Sequence, residues 1–239
     1  DGYKEHLNFV LPIFNDLKIS ASFYPTVKSS LENKLLDVNK IQFILSLFRN
    51  RKLIFSEIKD IYNSLFVNIY GPFFKFESKV NLNQFNIKDD IITKKIKQLL
   101  SVILPNHCRY IILEKLFKKY VSSDESEFAE KLYLNLFDLK ELKKNENEIG
   151  GHGYNHLKFE YLDSKEQLYE INESKNFLKK NNLINKFWTF CYPHGSYNCQ
   201  SIELLKKNDC ICALTINEGE YSHALKFEAP RIDIANLIF

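Results

Sequence analysis

The sequence has no methionine at any of its 239 positions, position 1 included, so the chain is expected to lack its natural start, and no leader can be judged from it. It also has no apolar run approaching the roughly 20 residues of a membrane span, which excludes a spanning helix in this chain. Charge is not one-sided: 33 Lys and Arg against 30 Asp and Glu leave +3, with the basic residues scattered along helical segments. No nucleic-acid partner is implied by such a distribution. Five cysteines, Cys108, Cys191, Cys199, Cys210 and Cys212, form no even framework, which argues against a disulfide scaffold and for reduced thiols in a compartment such as the cytoplasm. Cys210 and Cys212 lack the second pair that a structural zinc site needs.

What the sequence does have is a globular composition, with 45% hydrophobic residues, 20 Phe and 13 Tyr. The length suits one large domain, and a single α/β barrel of about 250 residues is an ordinary outcome. Lys4 to Leu17 carries Leu7, Val10, Leu11 and Phe14 at the spacing of one helical face, and Ile19 to Tyr24 reads as a strand stopped by Pro25. From about Ser30 to Lys144 the chain turns to amphipathic helical patterns: Leu36 to Phe48, Phe55 to Leu65, Ile87 to Leu104 and Arg109 to Tyr120. Alternation then returns. Ile149 ends a short strand, Ser164 to Lys180 is a helix capped by Asp163 or Ser164, and Phe187 to Tyr192 is a strand. A helix over Ser201 to Asn208, a strand over Ile211 to Ile216 and a strand-like piece over Ala229 to Ile234 follow. Strands alternating with helices predict parallel βα units, with the site at the C-terminal ends of the strands.

The chemistry concentrates in Glu148-Ile149-Gly150-Gly151-His152-Gly153-Tyr154-Asn155-His156. Histidines four apart share one side of a helical turn and can face a single point, which is a metal-binding geometry. The glycines around them suggest a strand ending in a loop that approaches something closely. Parallel strands would bring Asp1, His152, His156 and the Tyr192-Pro193-His194-Gly195 turn to one rim. One carboxylate with two imidazoles is a ligand set for a divalent cation that leaves positions open for water and substrate.

These residues resemble the polysaccharide deacetylases of the NodB-homology type, carbohydrate esterase family 4. That family's first motif, Thr-Phe-Asp-Asp-Gly-Tyr, is similar in its second half to Asp1-Gly2-Tyr3. The resemblance implies that Asp1 is a metal ligand and that the catalytic base is the residue before it. The second motif, His-Ser/Thr-x-x-His, is matched in its two ligands by His152 and His156, with Gly153 in place of Ser or Thr. The third, Arg-x-Pro-Tyr/Phe-Gly, aligns with Cys191 to Gly195: Cys191 replaces the arginine that orients the base, and His194 replaces the aromatic whose backbone N–H helps form the oxyanion hole. Toward the end, Pro230-Arg231-Ile232-Asp233 stands where the family usually has a Leu-x-His general acid.

The expected fold is therefore α/β, a distorted (β/α) barrel of about seven strands with a mostly α-helical insertion. It is read as one domain over residues 1–239, with barrel parts at about 1–30 and 136–239 and the insertion at about 31–135. The implied function is metal-dependent removal of an N- or O-acetyl group from a sugar or polysaccharide, with zinc the expected ion. Asp1, His152 and His156 are the expected metal ligands. Catalytic candidates are His194, a possible general acid or oxyanion donor, and Arg231 with Asp233, which could stand in for the missing arginine. Tyr192, Pro193, Gly195 and Tyr197 are candidate substrate contacts. His223 is a weaker acid candidate, and His6, one helical turn from Gly2, is expected to face solvent. Two other readings stay open: an amidase of the same fold acting on a small carbon–nitrogen compound, and a carbohydrate-binding or scaffold module. Oligomeric state has no sequence signal.

Overall fold

Residues 1–82 and 89–233 are described by the computed structural model of the chain. The strands are short. β1 (Ser22–Phe23) pairs in parallel with β2 (Glu148–Ile149), and β3 (Trp188–Cys191) in parallel with β4 (Cys210–Leu214). Single parallel bridges, Gly151 to Phe190 and Leu214 to Ala229, string these pieces into one row that follows chain order. The expected seven-strand barrel is thus corrected to two small parallel sheets linked by bridges, with no closed barrel among the described residues. Local chemistry accounts for the shortness: Pro25 has no N–H to extend β1, and Gly150 and Gly151 end regular pairing after Ile149. The expected last strand, Ala229 to Ile234, is reduced to the bridge at Ala229, where Pro230 again removes a donor; Ile234 lies outside the described residues.

The chain divides into two compact units, Asp1–Lys34 with Ser126–Phe239, and Leu35–Glu125. In the first, a π-helical turn (His6–Val10) runs into α1 (Leu11–Leu17), and α2 (Val27–Glu32) follows β1. The second holds α3 (Asp37–Leu47), α4 (Arg51–Leu65), α5 (Val67–Tyr70), α6 (Phe74–Glu77), α7 (Ile91–Gln98) and α8 (Asn106–Tyr120). The helix expected over Ile87 to Leu104 is α7 continued by a π turn, Leu99–Ile103, and its start at Ile87 falls outside the described residues. Within this unit Lys40 is buried and ion-paired to Glu114 and, at 3.0 Å, to Glu125.

From Glu125 the chain continues through α9 (Glu125–Leu132) and α10 (Leu136–Lys144), then α11 (Ser164–Lys180) and α12 (Cys199–Lys207). Three of these helices open on capping boxes, Asn135 with Asp138, Asp163 with Glu166, and Asn198 with Ser201, which satisfy amides left without helical partners. One hydrophobic core joins strands and helices of the first unit: Phe23, Ile149, Trp188 and Phe190 meet Leu139, Ile171, Phe177 and Leu205. That core fixes the C-terminal ends of β1, β2 and β3, and the site is built there. Among the described residues no helix is long and apolar enough to cross a membrane.

Candidate metal centre and active site

The turn after β2 begins with two glycines because there is no room for side chains. A Cβ at Gly150 would strike the Tyr24 ring and come 2.9 Å from the Thr189 carbonyl. One at Gly151 would strike Trp188 and come 2.8 Å from Ser174 Oγ and 3.0 Å from Phe190. Close approach on both faces fixes where the next residue, His152, leaves the sheet. The two histidines do not share a helical turn, as their spacing alone predicts. Residues 152–158 are irregular, and positive φ at Gly153 (+74°) and His156 (61°) folds the loop so that the rings converge anyway.

His152 Nε2 lies 3.0 Å from Asp1 Oδ1, His156 Nε2 lies 3.1 Å from the same oxygen, and the two Nε2 atoms are 3.1 Å apart. All three atoms fall within 4.8 Å of one another. His152 Nδ1 is 2.6 Å from the Cys191 carbonyl, which can only accept, so Nδ1 carries the proton and Nε2 turns its lone pair toward Asp1 and His156. Burial pushes both imidazoles well below their ordinary pKa and favours the neutral, ligating form. Two ring nitrogens and one carboxylate oxygen converging this closely are a ligand set for a divalent cation, and two nitrogens with one carboxylate oxygen suit zinc. The residues present fit such an ion.

These groups line one cavity of about 540 Å³. His194 and Arg231 join Asp1, His152 and His156 on it, facing apolar Val10, Phe14, Phe23 and Ile216. His194 takes a left-handed backbone (φ 58°), and its ring lies 4.4 Å from that of His156. Burial, followed by His156 and Lys158, lowers its pKa to about 3, so its imidazole is neutral at ordinary pH. The Arg231 Nε donates to the Thr215 carbonyl at 2.6 Å, and its guanidinium hydrogen-bonds the Cys191 side chain. A positive charge from the segment after the Ala229 bridge therefore stands beside the cysteine aligned with the arginine of the third motif.

The remaining candidates are distributed differently. Asp233 is exposed and does not line the cavity, and neither does the exposed His223. Tyr192 is 1% exposed, with its hydroxyl donating to the Phe227 carbonyl at 3.0 Å and its ring stacked on Tyr197 at 4.6 Å. Tyr197 in turn donates to Glu228. One face of each tyrosine ring is thus taken up by the other, and Tyr192 also lines the cavity. Pro193 is buried, and Gly195 (φ +66°) turns the chain against Ile216. Sequence reasoning misplaced His6: it lines the cavity against Phe23 at 5.4 Å, with a buried Nδ1. The π turn that rotates it inward has no signature in the helical spacing.

Residues 131–211 match the sequence model of the polysaccharide deacetylase family. Over that stretch the chain is similar to polysaccharide deacetylases. The matched stretch contains both histidines and the Tyr192-Pro193-His194-Gly195 turn, while Asp1 and Arg231 lie outside it. The Streptococcus pyogenes deacetylase PplD, solved in complex with acetate, is similar at 19% identity and a TM-score of 0.42, over 76% of this chain and 80% of that one. No curated protein sequence matches the chain.

Proposed function

We propose that this chain is a metal-dependent deacetylase that hydrolyses an N- or O-acetyl group on a sugar or polysaccharide. The observation that carries the reading is the convergence of Asp1 Oδ1, His152 Nε2 and His156 Nε2 within 4.8 Å on the cavity wall. Those three side chains hold the ion, expected to be zinc. When bound, a divalent cation polarises the acetyl carbonyl and lowers the pKa of water there towards about 7.

The chain's own groups do the rest. The Cys191 carbonyl keeps the His152 ring in its ligating tautomer. The His194 backbone N–H, in the tight turn after β3, is assigned to the oxygen that gains charge as water adds to the acetyl carbon. Arg231, held by Thr215, provides a fixed positive charge beside Cys191, in the role of the family's missing arginine. Among the described residues lining the cavity Asp1 is the only carboxylate, and it is taken up as a ligand. Loss of the amine or alcohol then leaves acetate.

The test is acetate release from N- and O-acetylated sugar oligomers by the protein, with and without chelator. The reading expects release that stops with chelator and returns with zinc. Release indifferent to chelator would sink the metal dependence, and release confined to small amides would move the assignment to an amidase.

A further inference from the structure

We propose that Glu170 is the positioning residue that shapes the His152–His156 loop, a conclusion that rests on the metal-site reading only for its effect on the ion. Glu170 sits on the inward stripe of α11 with Gln167, Ile171 and Ser174, at helical spacings of three and four, and is 1% exposed. Its Oε2 accepts from the Tyr154 amide at 2.7 Å and the Asn155 amide at 2.8 Å, and its Oε1 accepts from Asn155 Nδ2 at 2.7 Å. These are short, charge-assisted bonds, and they all go to the residues between the two histidines.

An irregular loop has no ladder to satisfy its amides, and buried amides need acceptors. A buried carboxylate needs donors for the same reason, and burial raises the pKa of this one. Each solves the other's problem, which ties the loop to a helix anchored in the core. Gly153 is the complementary feature. A Cβ there would come 2.9 Å from Glu170 Oε2, and φ is +74°, so glycine is what lets the carboxylate reach the next two amides. This accounts for glycine where the similar motif has Ser or Thr. Neither histidine touches Glu170 in any of these bonds; it acts on them through the backbone of Gly153 to Asn155.

The experiment compares the whole protein with Glu170→Gln and Glu170→Ala by two readouts. Amide hydrogen exchange over residues 150–158, measured without metal, reports the loop directly. Zinc affinity, by competition with a chromophoric chelator, reports the histidines. Expected are faster exchange at Tyr154 and Asn155 in both variants and zinc binding weaker by about 10- to 100-fold in Glu170→Ala, the range for groups that orient metal ligands, with helical circular dichroism unchanged. Glu170→Gln keeps the shape and one acceptor, so it remains informative if Glu170→Ala does not fold. Wild-type exchange and wild-type zinc affinity in Glu170→Gln would overturn the proposal. If the wild-type protein binds no zinc, the metal reading fails, and the exchange data alone decide the role of Glu170.

Discussion

Replacing Gly151 with alanine puts one methyl group where β2 meets β3. Its Cβ would strike Trp188 and come 2.8 Å from Ser174 Oγ and 3.0 Å from Phe190. Trp188 cannot easily yield, because it is 2% exposed, donates to the Asn208 carbonyl at 2.9 Å and lies edge-on to Phe190. Overpacking of this kind costs about 1–3 kcal/mol. The alanine recovers about 0.4–1 kcal/mol by restricting the unfolded chain, and the φ of Gly151 is not in the left-handed range, so no backbone strain is added. The net is a loss of about 1–2 kcal/mol, which for a chain of this length lowers Tm by roughly 2–8 °C. Relief of the contact must also move His152, the adjacent residue, so zinc affinity should fall along with Tm. Thermal unfolding and zinc competition on the same samples check this. A Gly151→Ala protein that melts and binds zinc like the wild type would refute the argument that close packing, rather than loop chemistry, sets the position of His152.

Tyr192→Phe leaves the buried Phe227 carbonyl without its donor and should cost about 1–3 kcal/mol while leaving KM for an acetylated sugar unchanged. A raised KM at unchanged stability would put that ring in the cleft. Arg231→Ala should lower kcat/KM by about 10- to 100-fold with little change in Tm, and Arg231→Lys should not restore it, because lysine lacks the Nε–H that donates to Thr215; full activity in Arg231→Ala would remove the stand-in role. Burial pushes the Cys210 thiol from 9.0 to about 12 and raises Tyr192 above its ordinary 10.0. The folded state keeps protons that the unfolded chain has released, so stability should fall as pH rises from about 9 towards 12. Denaturant midpoints that stay flat across that range would contradict it.

The convergence of the histidine pair on one point with Asp1 was legible from residue types, and so was the alternation of strands and helices after Leu139. The geometry behind the pair was not: a spacing of four suggests a helical turn, whereas the rings converge through positive φ at Gly153 and His156. The two glycines before His152 did announce a close approach, although not that Tyr24 lies on one side and Trp188 on the other. Strand extent was overestimated because hydrophobic runs such as Phe187 to Tyr192 show burial but not where pairing stops. Tyr192 and Tyr197 both read as candidate sugar contacts, and that their rings stack on each other was not legible from a spacing of five. Glu170 left no mark in the sequence at all. It sits 18 positions after His152, and only the packing of α11 turns its carboxylate toward the loop.

Zinc stoichiometry, measured on the wild-type protein and on His152→Ala and His156→Ala, tests the account most directly. One tightly held ion per wild-type chain and none in either variant is the expected result. No ion in the wild type, or an ion that survives loss of either histidine, would contradict it.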